Sequence, residues 1–272
     1  MAKWKKWIIG EWNWKRPIKS LLFIYLSLLL VALAFSNHFI FQPPQAAYNI
    51  SDPHFSSINR PNGDKVAIYH LPAADGMPTL LWSHGNAEDI GYLQDRLKIF
   101  HSRGYGILAY DYPGYGLSDG KPNEQACYEA CKAPYEHLTE KLNISSDQII
   151  IYGQSVGSGP SVWLASHKKC RGLVLVSPFL SAFRTVTRIP LFPKDKFKNH
   201  KRITEVSAPL LVIHGDRDQV ISQWHGRKLH SLHTEDKTFV NIEAAGHNDI
   251  YILAMEEILD SLDLFYSSTK KE

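Results

Sequence analysis

Ser155 stands at the centre of Gly153-Gln154-Ser155-Val156-Gly157. A serine hydroxyl is a weak nucleophile, so it needs a base to take its proton and a third group to orient that base. A Gly-x-Ser-x-Gly segment presents such a serine when a strand runs into it and a helix leaves it, because the sharp turn forces the side chain to the tip. Here Ile149-Ile150-Ile151-Tyr152 reads as a buried strand, and Pro160 to Ala165 continues as a helix. Downstream, the segment Gly215-Asp216-Arg217-Asp218 follows one apolar run, and Ala244-Ala245-Gly246-His247 follows another. Six other histidines come after Ser155. His247 is singled out by its place behind Gly246, after the last strand. Asp218 is the favoured orienting acid, with Asp216 its rival two residues earlier. Acyl transfer also builds an oxyanion that needs backbone N–H donors. One is expected from Val156, the residue after the nucleophile. The other is expected from Asn86, in the turn His84-Gly85-Asn86-Ala87.

These residues need a scaffold that brings strand ends together. Apolar, β-branched runs occur at 55–58, 65–69, 79–82, 105–110, 149–152, 172–176, 210–214 and 238–242. Helical stretches separate most of them, at about 90–101, 122–142, 223–232 and 250–266. Alternation of this kind predicts an α/β fold with a mostly parallel eight-stranded sheet, its first two strands pairing antiparallel around Pro61-Asn62-Gly63-Asp64. Each candidate residue then falls at the carboxyl end of a strand, where an open α/β sheet builds its site.

Apolar residues make up 44% of the 272 and charged residues 21%, an ordinary globular balance. The net charge of +3 is unevenly spread. Residues 1–20 hold six Lys and Arg against Glu11, while residues 42–272 are slightly acidic. That distribution gives no support to nucleic-acid binding. The three cysteines, Cys127, Cys131 and Cys170, form no disulfide framework and read as packing residues. No cofactor-binding or metal-ligand motif is present, so neither group is expected.

The N-terminus has its own logic. Residues 1–19 are basic and carry Trp4, Trp7, Trp12 and Trp14, a composition suited to the headgroup layer. Residues 20–41 carry no charge and are long enough to span a bilayer. Positive flanking charge lies only before them, which predicts a cytoplasmic N-terminus and a large domain on the far side. A cleaved signal peptide is the rival: Ala32-Leu33-Ala34 fits a cleavage site and would release a domain beginning at Phe35. An uncleaved signal anchor is favoured because the basic and apolar segments are both long. Residues 42–54 read as a linker and residues 55–268 as the catalytic domain.

The motifs SHGNAED, DYPGYGLSDGKP, IIYGQSVGSGPSV, HGDRDQVI and AGHND resemble those of the α/β-hydrolase superfamily. The chain looks most like abhydrolase-domain serine hydrolases, a group that includes membrane-anchored depalmitoylases and lysophospholipases. Similar domains are also described as serine aminopeptidases. The resemblance covers about residues 55–268 and implies an α/β-hydrolase fold. It makes Ser155 the nucleophile, His247 the base and Asp218 the acid, with Asn86 and Val156 as the oxyanion hole. One departure stands out: the depalmitoylases carry palmitoylated N-terminal cysteines, and this chain has none before Cys127.

Such hydrolases carry a cap where this chain has residues 177–207. The segment mixes Arg184, Arg188, Lys194, Lys196, Lys198, Lys201 and Arg202 with Phe179, Leu180, Phe183, Ile189, Leu191, Phe192 and Phe197. A solvated cap with a small core and a surface leaning on anionic lipid are both consistent with that pattern. The expected function is a membrane-anchored serine hydrolase that cleaves an acyl ester or thioester of a lipid or lipidated substrate. A peptidase, or a non-catalytic binding protein on the same fold, is the alternative.

Overall fold

A computed structural model of the chain describes residues 14–269. The expected basic, tryptophan-bearing segment lies mostly outside the described residues. Two compact units are present, Met1–Phe39 and Ile40–Glu272. The first holds most of helix α1, Lys15–Ile40. At ~1.5 Å per residue its 26 residues reach about 39 Å, and its length and composition suffice to cross a membrane. The helix begins five residues before the uncharged run. Lys15, Arg16 and Lys19 are compatible with helix, and Pro17 is tolerated in a first turn, where its missing N–H costs no helical bond.

The second unit is built on one eight-stranded sheet in the order β1-β2-β4-β3-β5-β6-β7-β8. Strands β1 (Phe55–Asn59) and β2 (Lys65–Leu71) form the expected antiparallel hairpin. Strand β4 (Gly106–Tyr110) runs antiparallel to β2, and every later pairing is parallel. These later strands are β3 (Thr79–Ser83), β5 (Ile149–Gln154), β6 (Gly172–Val176), β7 (Leu210–Gly215) and β8 (Lys237–Ile242). From β3 the chain steps to β4 on one side and then crosses to β5 on the other. That reversal makes the carboxyl ends of β3 and β5 a topological switch point, where open α/β sheets bind ligands.

The inner strands are buried on both faces, whereas the edge strands β1 and β8 are largely exposed, and alternation along the strands divides the core in two. Ile149, Ile151, Leu173, Leu175 and Val212 face helices α3 (Glu124–Glu136), α4 (Ser158–His167) and α5 (Trp224–Leu232). Ile150, Tyr152, Val174, Leu211 and Ile213 face α2 (Gln94–Ser102) and α6 (Ile250–Ser268). Trp82 stacks on Tyr152 with ring centroids 3.9 Å apart, so the two central strands are locked beside the future site. Cys127 and Cys131 are buried as packing residues, Cys170 is half-buried, and all three thiols are free.

One sequence expectation changes. Residues 42–54, read as a linker, belong to the same compact unit as the sheet. Phe41 is buried there, and backbone N–H groups at Gln42 and Ala47 are bonded to side chains of the β3–α2 turn. The Pro-Pro pair makes the segment extended rather than loose, which leaves those N–H groups free to bond outward.

Candidate active site

Strand β5 ends in a turn that the backbone can make only with small residues at two places. A Cβ on Gly153 would lie 2.5 Å from Ser161 Oγ, and one on Gly157 would lie 2.1 Å from the Ser83 carbonyl oxygen. Between them Ser155 adopts φ +51°, a left-handed conformation rare for a residue with a side chain. The strain lifts its hydroxyl out of the turn, and Ser155 is 8% exposed.

Ser155 Oγ lies 2.9 Å from His247 Nε2, and His247 Nδ1 lies 2.7 Å from Asp218 Oδ2. A carboxylate only accepts, so the network assigns the proton to Nδ1 and leaves Nε2 free to accept from the serine. Strand β7 delivers Asp218, and the turn after β8 delivers His247. Asp218 Oδ1 accepts from the N–H groups of Val220 and Ile221 at 2.9 and 2.7 Å. Burial opposes its ionisation, but hydrogen bonds from His214, His247 and Ile221 outweigh burial and hold the carboxyl well below the usual range. Asp216, the rival, is exposed and accepts from the Ala244 N–H at 2.8 Å. It braces the turn that carries His247 and does not meet the imidazole.

The contact of Gly157 with the Ser83 and His84 carbonyls brings the turn of Val156 against the end of β3, which carries Asn86. Asn86 does not point its side chain at Ser155: Oδ1 accepts from Tyr115 Oη at 2.6 Å and from the Gln42 N–H at 2.9 Å. Gly85 N–H is taken by Glu88 Oε1 at 2.7 Å, which tightens the turn from within.

Sequence reasoning missed three supporting side chains. His214, wholly buried at the end of β7, places Nε2 2.8 Å from the Ile221 carbonyl and 3.2 Å from Asp218 Oδ2. Its spacing of four residues before the acid, in Ile213-His214-Gly215, is the signal that marks it. Arg96 Nη1 donates to Gln154 Oε1 at 2.9 Å, fixing the residue before the nucleophile, while its guanidinium covers the Tyr251 ring at 4.1 Å. Tyr115 lies in the quoted motif DYPGYGLSDGKP, but nothing in that motif marks a bond to Asn86. Among the described residues no group of three or more His, Cys, Asp or Glu gathers as a metal site.

In the cap, two short helices, Arg184–Thr187 and Asn199–Arg202, flank an irregular stretch. Phe179, Leu180 and Phe197 are buried in the main core, whereas Val186, Ile189 and Leu191 are exposed. Both readings of the cap therefore have their residues: an inner apolar set and an outer one interleaved with Arg184 and Arg188.

Comparison with known proteins narrows the family. Residues 77–196 match the family described as serine aminopeptidase, S33. Alpha/beta hydrolase domain-containing protein 17C of Mus musculus is 39% identical over 193 residues, 70% of this chain and 59% of that protein. The chain thus spans about three fifths of the length of that relative. Alpha/beta hydrolase domain-containing protein 17B of Homo sapiens is 36% identical over 214 residues, covering 75% of this chain and 72% of the human protein. Among solved structures, an esterase of Pyrococcus furiosus superimposes with a TM-score of 0.70 at 18% identity, over 84% of this chain and 97% of that one. The structural likeness establishes the fold, the α/β-hydrolase fold that the motifs resembled. The identity to the human protein, over more than two thirds of its length, goes further, and the chain belongs to the α/β-hydrolase domain-containing protein family.

Proposed function

We propose that this protein is a membrane-anchored serine hydrolase that cleaves acyl esters or thioesters of lipids or lipidated molecules. The observation that carries the reading is the unbroken line Ser155 Oγ–His247 Nε2 and His247 Nδ1–Asp218 Oδ2, at 2.9 and 2.7 Å, ending on a serine held at φ +51°. In this reading His247 takes the Ser155 proton as Oγ attacks the acyl carbon. The oxyanion accepts from the N–H groups of Val156 and Asn86. The intermediate collapses, His247 returns the proton to the leaving alcohol or thiol, and the acyl group stays on Ser155. Water, deprotonated by His247, then attacks the acyl-enzyme and releases the acid. Asp218 keeps the imidazole in the required tautomer throughout.

Helix α1 supports a membrane anchor by length and composition, and the one-sided flanking charge supports a cytoplasmic N-terminus. The resemblance to depalmitoylases supports a long-chain acyl substrate. Release of N-terminal amino acids is the second reading, favoured by the description of the matched family. Glu88, a carboxylate on the turn after β3, is not free to hold an amino terminus: it is already bonded to Gly85 and lies 3.8 Å from Arg96.

The test is labelling by a fluorophosphonate probe, followed by acyl thioester, ester and aminoacyl amide substrates. Label should appear on Ser155 and vanish in Ser155→Ala, and turnover should favour the esters and thioesters. Undiminished labelling of Ser155→Ala would falsify the nucleophile assignment.

A further inference from the structure

The segment between α1 and β1 has no chemistry-bearing motif, yet it is bonded to the turn that the proposed mechanism uses. Phe41 is 3% exposed and sits edge-on to Phe197 of the cap, with ring centroids 6.0 Å apart. The Gln42 N–H donates to Asn86 Oδ1 and to Tyr115 Oη, each at 2.9 Å. Tyr115, fully buried, donates its own proton to Asn86 Oδ1 at 2.6 Å. Five residues on, the Ala47 N–H donates to Asp89 Oδ2 at 2.7 Å, and the Tyr48 hydroxyl donates to Asp111 Oδ2 at 2.5 Å. The domain is shaped to receive this segment. A Cβ on Gly91 would lie 2.8 Å from the Tyr48 ring, and one on Gly116 would lie 2.7 Å from the Tyr48 hydroxyl.

We propose that residues 41–48 form a positioning strap for the oxyanion turn, acting through the side chain of Asn86. The proposal rests on the serine-hydrolase reading above. An oxyanion donor helps only when its N–H is already aimed at the charge that develops, so the peptide that carries it must be held before reaction. The turn 84–88 has two internal braces, the Gly85–Glu88 bond and the His84 Nδ1 bond to the Gly85 carbonyl, neither of which reaches Asn86, and Ala87 beside Asn86 sits at φ +56°, a conformation that relaxes unless it is held. Gln42 and Tyr115 converge on one oxygen of Asn86 and fix the residue from its side chain, leaving its backbone N–H unobstructed. Ala47 holds the same connection farther along, at Asp89, and Tyr48 bonds Asp111, the residue after β4, whose other oxygen accepts from the Ile90 N–H. A purely cohesive strap would need none of this convergence on Asn86.

The experiment uses the full-length protein in phospholipid nanodiscs. Gln42→Pro removes the donor, and Gln42→Ala keeps it. The expected kcat of Gln42→Pro is about tenfold below that of Gln42→Ala with KM within about twofold, because only the transition state makes the oxyanion contact. The inhibition constant of an acyl trifluoromethyl ketone, which mimics the oxyanion, rises by the same factor. Tyr115→Phe lowers kcat to a similar extent, and combining it with Gln42→Pro adds little, since both act on one acceptor. Should Gln42→Pro fail to fold, Tyr115→Phe carries the test with the same two readouts. Equal kcat and equal inhibition for the proline and alanine variants, or a change confined to thermal midpoint or KM, overturns the strap. Ser155→Ala separates the two levels of the argument. If it keeps turnover, the hydrolase reading falls; if it is inactive while Gln42→Pro matches Gln42→Ala, only the strap falls.

Discussion

Of the histidine–carboxylate contacts at the carboxyl end of the sheet, two differ most in what they leave free. In the first, His247 bonds Asp218 through one ring nitrogen and reaches Ser155 with the other, and its side chain is 11% exposed. In the second, His84 and Asp111 are both fully buried, with Nε2 3.3 Å from Oδ1. There the other ring nitrogen is spent: Nδ1 of His84 donates to the Gly85 carbonyl at 2.7 Å. Asp111 accepts further from Tyr48 and from the Ile90 N–H. Burial works against a charge on His84, but Asp111 outweighs it and raises its pKa. The residue types are the same, and the difference lies in what each ring has left over. A histidine with one nitrogen reserved for an outside proton can relay it; one with both nitrogens engaged inside the protein holds its surroundings in place.

The comparison makes opposite predictions for the two acids. Asp218→Asn should lower kcat by about 10³- to 10⁴-fold with a native circular dichroism spectrum, because His247 loses the tautomer that frees Nε2. Asp216→Asn should change kcat less than about threefold. A reversal of those two effects would exchange the roles of the aspartates. Asp111→Asn should act on the other scale: it removes one charge of a buried pair and should cost about 3 kcal/mol in urea unfolding. Its kcat, corrected for the folded fraction, should fall no more than about tenfold. An Asp111→Asn protein of unchanged stability and no turnover would erase the distinction.

Acid titration sharpens the same contrast at smaller amplitude. His225, buried against His214, has its pKa lowered to about 4, first by burial and then by His214, Arg184 and Arg188. Between about 6.5 and 4 the unfolded chain therefore binds a proton that the folded chain does not, and stability falls as pH falls through that window. Asp218 has its pKa lowered below 3.8, so its contribution is present above 3.8 and is lost only at more acidic pH. Urea midpoints measured from pH 7 to pH 3 should decline in both ranges. His225→Gln should flatten the upper decline, and an unchanged slope there would count against a neutral His225.

The contrast also explains what could be read from the amino-acid order alone. The elbow is legible because its constraint is local: two glycines, a serine and the strand before them lie within ten residues. The inner strands were legible because burial on both faces demands unbroken runs such as Gly172–Val176. Asp218 and His247 follow from their places after strands, although 29 residues separate them. The His84–Asp111 pair carries no comparable mark, since its meaning depends on the Gly85 carbonyl and on Tyr48. The strap was invisible for a sharper reason. Its decisive donors are the backbone N–H groups of Gln42 and Ala47, which every residue but proline possesses, and Gln42-Pro43-Pro44-Gln45 reads as a spacer. Helix α1 began earlier than the uncharged run because helix formation tolerates lysine and arginine that hydropathy excludes.

The place where the strap begins has a consequence for maturation. A processing cut after Ala34 would leave Phe41 to Tyr48 on the sheet-bearing domain, so the cut and uncut forms would carry the same bonds to Asn86, Asp89 and Asp111. A cut after Tyr48, only fourteen residues later, would detach helix α1 and the strap with it. Proteolysis at the first position would separate helix α1 from a domain of unchanged kcat; at the second it would also lower kcat, because the Gln42 donor leaves with the helix.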